Sequence, residues 1–180
     1  MFQKLRMLDE KVVERMSEIH RPVLDKIMVM FTYAGTGGMV WWVCFVIPML
    51  ISRRFRETSI ILTAALCFNF LMGEIIIKKS VGRDRPSTRI SDDDMKINKP
   101  KDHSFPSGHS ASSFCASTVM LLCCPAWIWA PALALACTIA FTRMYLRVHY
   151  LTDVLGGILL GVLDGSLVTL LFRLFVFPAQ

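Results

Sequence analysis

Three short polar clusters interrupt a chain that is otherwise apolar: Lys78 with Arg85-Pro86, then Pro106-Ser107-Gly108-His109, then Arg143, His149 and Asp153. Together they supply cations, a hydroxyl beside a glycine, two imidazoles and a carboxylate. Those groups are suited to gripping phosphate oxygens and moving a phosphoryl group. No cluster with metal-ligand spacing accompanies them, and no cofactor is expected.

Each cluster has its own chemistry. Arg85 offers a planar fork that matches phosphate oxygens, and Lys78 a compact charge. Pro106-Ser107-Gly108-His109 falls where a polar loop becomes an apolar run, so Ser107 is expected to cap a helix whose free N-H groups face outward as an anion site. Gly108 has no side chain to block an approaching phosphate, and His109 carries a proton-transfer group one residue further. Asp153 lies four residues beyond His149. If that stretch is helical the two share a face, and a carboxylate bonded to one ring nitrogen leaves the other free to attack.

The elements that must position these groups are membrane helices. The 180 residues are 54% hydrophobic with a mean hydropathy of +0.50 and only 19% charged residues, a balance that belongs to a helical membrane protein. The net charge of +6 is concentrated at the amino end, around 53 to 56 and between 78 and 101, which argues for anionic lipid and against nucleic acid. All six cysteines fall in apolar runs without a CxxC pair, so they read as small buried hydrophobes rather than zinc ligands or disulfide partners.

The expected fold is all-α, an integral membrane bundle of about six helices, the first short or interfacial, with an amphipathic amino-terminal helix. Residues 1 to 22 mix acids, bases and scattered apolar residues, and read as a helix lying on the membrane surface rather than a signal peptide. Residues 23 to 51 are apolar but broken by Gly35-Thr36-Gly37-Gly38, which predicts a short helix, a turn and a span from about 38 to 51. The next span is expected over 58 to 77, ending at Lys78-Lys79, and a long polar loop over 78 to 107. Further helices are expected over 108 to 124, 127 to 146 with Trp127 and Trp129 in an interfacial belt, and 153 to 175. Gly157, Gly161 and Gly165 form a small-residue strip for close helix packing. The whole of 1 to 180 reads as one domain.

The cations at 53 to 56 mark a cytoplasmic loop, which puts 78 to 107 outside. Counting onward then places all three clusters on one membrane face, as a single site requires.

The pattern Lys78-x6-Arg85-Pro86, Pro106-Ser107-Gly108-His109 and Arg143-x5-His149-x3-Asp153 resembles the three motifs of the type 2 phosphatidic acid phosphatase superfamily over residues 78 to 153. Thr142 departs from it, standing where the family usually carries serine before the arginine. The resemblance implies a phosphohistidine on His149, orientation by Asp153, and proton transfer by His109 to the leaving oxygen and later from water. Lys78, Arg85, Arg143, Ser107 and the Gly108 amide would hold phosphate without metal. Taken with the orientation from the 53 to 56 cations, it implies a plasma-membrane lipid phosphatase acting at the extracytoplasmic face. Its substrate would be a lipid phosphate or diphosphate of the undecaprenyl diphosphate, phosphatidylglycerol phosphate or phosphatidic acid type; the oligomeric state is left open.

Two alternatives stand beside this reading. A non-enzymatic lipid-phosphate binder or transporter would not need two histidines and an orienting acid, and a vanadate haloperoxidase is expected to be larger and soluble. Outside the motifs, Glu74 reads as an ion-pair partner of Lys78, Asp164 as a buried polar group without an identifiable partner, and His103 as a solvated loop residue. Arg83, Arg89 and Arg147 read as extra attraction for an anionic headgroup.

Overall fold

The computed structural model describes residues 2–177. The expected domain and the expected interfacial segment both begin at residue 1, which with 178–180 lies outside the described residues. The chain is an integral membrane bundle of helices, with no strand among the described residues. They are α1 (Phe2–Glu18), α2 (Pro22–Ala34), α3 (Thr36–Ile51), α4 (Arg56–Val81), α5 (Gly108–Cys123), α6 (Ala126–Tyr145) and α7 (Leu151–Phe175). Helices α4, α6 and α7 are each long and apolar enough to cross a membrane, and α2 with α3 forms a fourth candidate bent by 54°.

The break between α2 and α3 falls at the glycine-rich turn, where Gly37 and Gly38 take positive φ values of 59° and 70°. Lys78 and Lys79 do not end α4, as expected from their charge, but lie in its last turn. The helix stops at Gly82, whose φ of 62° is the left-handed conformation that glycine adopts without steric cost. A basic last turn also suits the negative end of the helix dipole. The 78 to 107 segment is therefore helical through Val81 and then irregular, with two short 3₁₀ turns at Pro86–Arg89 and Asp92–Asp94.

Helix α5 is the centre of the bundle, packed against α4, α6 and α7. Its approach to α7 depends on the glycine strip. A Cβ at Gly165 would stand 2.8 Å from the Cys115 carbonyl oxygen, and one at Gly161 would strike that of Ala111. Small residues let two membrane helices meet backbone to backbone, where dispersion replaces the absent hydrophobic drive. The core between α3 to α6 is built from Trp41, Leu62, Val119, Met120 and Ile139. Leu159, Leu163 and Leu170 on α7 instead face outward, as a lipid-facing surface requires. This packing holds the end of α4, the start of α5, the end of α6 and the start of α7 at one end of the bundle.

Candidate active site

A cavity of about 660 Å³ opens among these helix ends. Lys78, Arg85, Gly108, His109, Arg143 and His149 line its polar half, while Trp42, Leu66, Cys67 and Phe70 on α3 and α4 form an apolar wall. Six of the eight expected site residues thus share one cavity. Ser107 and Asp153 stand behind it, both fully buried.

Helix α5 begins as its sequence predicts. The Ser107 side chain accepts the Ser110 amide at 3.4 Å, and the Ser107 amide donates to the Asp153 carbonyl at 3.0 Å, joining the starts of α5 and α7. The Ser107 hydroxyl is turned into this cap and does not line the cavity. Gly108 does line it, and a Cβ there would strike the Glu74 carboxylate, so its missing side chain is filled by a neighbour.

The cations are anchored by carboxylates. Both Glu74 oxygens accept from Lys78 Nζ at 2.7 Å, as the one-turn spacing implied, and Asp102 Oδ2 accepts a third bond at 2.8 Å. Asp102 Oδ1 accepts from Arg85 Nη2 at 2.9 Å. Burial acts to raise the Asp102 pKa, but the Lys78 bond and the Arg85 charge prevail and hold it below the ordinary carboxylate value of 3.8. Nothing in sequence spacing marked Asp102, which reaches the site from the irregular loop. Arg143 is buried on α6, where it donates to the Thr32 hydroxyl on α2 and leaves Nε without a partner.

His149 sits in the turn between α6 and α7, with its amide and that of Val148 both bonded to the Arg143 carbonyl. Arg85 Nη1 lies 2.8 Å from its Nε2. An arginine can only donate, so Nε2 accepts and the ring proton belongs on Nδ1. Nδ1 faces Asp153 Oδ2 at 3.7 Å, longer than a hydrogen bond, and has no bonded partner. The expected one-face helical pairing does not form because α7 starts at Leu151, and Asp153 Oδ2 turns to the Tyr150 amide at 2.9 Å as part of the helix cap. Burial, then the charges of Arg85, Arg143, Lys78 and His109, press the His149 pKa well below 6.5. The imidazole is therefore neutral, with a lone pair on the nitrogen that faces Arg85.

His109 Nε2 lies 3.1 Å from the Thr32 carbonyl oxygen, to which it donates. Gly35 permits this approach, since a Cβ there would stand 3.0 Å from the His109 ring. Thr32 thus touches both His109 and Arg143, a role that sequence reading missed because threonine in an apolar helix carries no pattern of its own. Arg83 does not face outward to a headgroup: it bonds Asp153 Oδ1 at 2.6 Å, Thr152 Oγ1 at 2.7 Å and Asp9 Oδ2 at 2.7 Å. Arg147 donates to the Asp94 carbonyl, and His103 is exposed. Asp164 gains the partner that sequence could not name, the Asn69 amide at 2.7 Å, from a residue far away in the chain. Among the described residues, no three His, Cys, Asp or Glu side chains converge to hold a metal ion.

This helical frame and its cluster of cations and imidazoles define a chain of the PAP2 superfamily, to which the protein belongs: the family's sequence profile matches residues 58–176. An undecaprenyl-diphosphatase of Sulfolobus acidocaldarius is 30% identical over 138 residues, covering 77% of this chain. The chain spans only 66% of that relative's length. A lipid A 4'-phosphatase of Bacteroides thetaiotaomicron is 28% identical over 180 aligned positions, covering 93% of this chain and 78% of the relative. A solved structure, that of a transmembrane PAP2-type phosphatidylglycerolphosphate phosphatase from Bacillus subtilis, matches the fold with a TM-score of 0.79 at 22% identity. That match covers 98% of this chain and 90% of the other.

Proposed function

We propose that this protein is a membrane lipid phosphatase that removes the terminal phosphate of a lipid phosphate or diphosphate, and that the whole chain acts as one phosphatase domain. The observation that carries this reading is the cavity in which Lys78, Arg85 and Arg143 meet both histidines beside an apolar wall. A headgroup fits among the cations and a tail against Trp42, Leu66 and Phe70. The names of the relatives, which act on three chemically different lipids, support the phosphate end of the substrate and leave its tail open.

In the proposed reaction Arg85 Nη1 swings from His149 Nε2 to a phosphoryl oxygen, and the freed Nε2 lone pair attacks phosphorus, forming an N–P bond as the bond to the leaving oxygen breaks. His109, in its imidazolium form beside the bound phosphate, gives that oxygen its Nδ1 proton while Nε2–H stays on the Thr32 carbonyl. Water then attacks the phosphohistidine, passing a proton to His109 and releasing inorganic phosphate, and both imidazoles return to their starting states. Asp153 steadies the Nδ1 side of His149, where positive charge develops during attack. Lys78, Arg85, Arg143 and the Gly108 amide neutralise the phosphoryl oxygens, with Ser107 setting the helix start behind them. Electrostatic positioning is most of what phosphoryl transfer demands, and three fixed cations can supply it without metal. The basic loop at 53 to 56 supports a cytoplasmic position for that end and an extracytoplasmic site at the plasma membrane.

The test is phosphate release by the purified protein from undecaprenyl diphosphate, phosphatidylglycerol phosphate and phosphatidic acid, with and without EDTA, beside His149→Ala. Release that survives EDTA and vanishes in the variant is expected. Loss with EDTA overturns metal independence, and unchanged release by His149→Ala overturns the nucleophile. If the wild type binds lipid phosphates and cleaves none of them, the protein is a binder rather than an enzyme.

A further inference from the structure

Helix α1 is exposed along most of its length, Leu5, Met7 and Leu8 included, yet Asp9 is only 2% exposed, the one buried residue of α1 among those described. A carboxylate is taken out of water only where it is paired. Its Oδ1 accepts the Thr152 amide at 3.0 Å, and its Oδ2 accepts the Thr152 hydroxyl at 2.6 Å and Arg83 Nη2 at 2.7 Å. The other arm of Arg83 holds Asp153 Oδ1 at 2.6 Å, and Asp153 Oδ2 stands 3.7 Å from His149 Nδ1. An unbroken series of contacts therefore runs from α1 to the imidazole, and none of its intermediate residues lines the 660 Å³ cavity.

Docking of α1 alone would be served by the two bonds to Thr152. Arg83 does something more, because one guanidinium is shared between two carboxylates on different helices, and its Cζ lies 4.2 Å from the Tyr150 ring centroid. Without the Asp9 charge, Arg83 is free to move onto Asp153 and draw that carboxylate away from the imidazole. We infer that Asp9 is a positioning residue for His149, acting through Arg83 and Asp153, so that the seating of the amino-terminal helix sets the orientation of the nucleophile. The inference rests on the proposed role of His149.

Asp9→Asn in the full chain tests it, since asparagine can still accept from Thr152 and lacks only the charge. Glu10→Gln, an exposed neighbour on α1, is the control. For a lipid phosphate substrate, Asp9→Asn is expected to lower kcat roughly tenfold with KM within about twofold, the scale of a misplaced reacting group. Combined with Arg83→Gln it should cost nothing beyond Arg83→Gln alone. In ¹⁵N spectra of histidine-labelled protein, the His149 signals, assigned by their loss in His149→Gln, should shift in Asp9→Asn and not in Glu10→Gln. A change confined to KM, losses that multiply in the double variant, or unmoved His149 signals each overturn the inference. If the wild type releases no phosphate, the proposed function fails while the spectra still decide whether Asp9 governs His149. Should Asp9→Asn not fold, Asp9→Glu keeps the charge but displaces Arg83; it is read by the same signals, and their remaining unmoved is fatal to the inference.

Discussion

Arg85 holds His149: its Nη1 lies 2.8 Å from the ring Nε2, while Nε and Nη2 of the same guanidinium bond the carbonyl and the carboxylate of Asp102. One side chain thereby fixes the protonation pattern of the proposed nucleophile and offers a charge to the proposed phosphate. A lysine could replace the charge but not the fork. Arg85→Lys is therefore expected to lower kcat by about two to three orders of magnitude, the usual loss for a preorganised oxyanion donor. Phosphate-release kinetics check this, and a loss of less than threefold would show that charge alone suffices.

The neutral state of His149 has a thermodynamic cost at low pH. Between its depressed folded value and 6.5, the unfolded chain binds a proton at this position and the folded chain does not. Stability from this group is thus complete above 6.5 and falls as the solution is acidified through that value. Thermal unfolding in detergent should show a lower midpoint at about pH 5.5 than at about pH 7.5, and His149→Gln should shrink that difference. A difference of the same size in the variant would assign the effect to other groups.

Asp102 occupies two of the three motif cations that a phosphate would need, Lys78 and Arg85, and half of its side chain is open to solvent. A phosphate must compete with it. Asp102→Asn is expected to tighten inhibition by orthovanadate or inorganic phosphate by a few-fold, a modest gain because exposed ion pairs are strongly screened. Weaker inhibition in the variant would mean that Asp102 chiefly holds Arg85 in place.

Of the three strip glycines, Gly161 leaves the least room against α5, since a Cβ there would strike the Ala111 carbonyl oxygen. Gly161→Ala forces the helices apart and is expected to cost about 1–3 kcal/mol, the range for overpacking a tight contact. A drop of several degrees in the unfolding midpoint checks it, with Gly37→Ala unsuitable as a control because its φ is 59°.

The motifs were readable because each sits at a helix end, where polar residues break an apolar run and spacing survives into three dimensions. Lys78, Arg85, Gly108, His109, Arg143 and His149 meet in one cavity for that reason. The glycine strip was readable too, since a four-residue period can lie along one helix face. Asp102, Asp9 and Thr32 were not, because their roles come from contacts between residues distant in the chain and irregular or amphipathic segments carry no register. The Asp153 geometry was misread in detail: its spacing from His149 suggested a helical pair, but the start of α7 claims one carboxylate oxygen for its own cap and Arg83 claims the other.

The apolar wall formed by Trp42, Leu66 and Phe70 is contributed by α3 and α4, and the last two precede Lys78 along α4. In the proposed phosphatase a substrate anchored by its tail can then remain in its leaflet while its headgroup reaches the histidines, and the search for the site is two-dimensional. What saturates such an enzyme is the mole fraction of substrate in the bilayer, so adding inert lipid at constant total substrate should slow turnover as surely as removing substrate does.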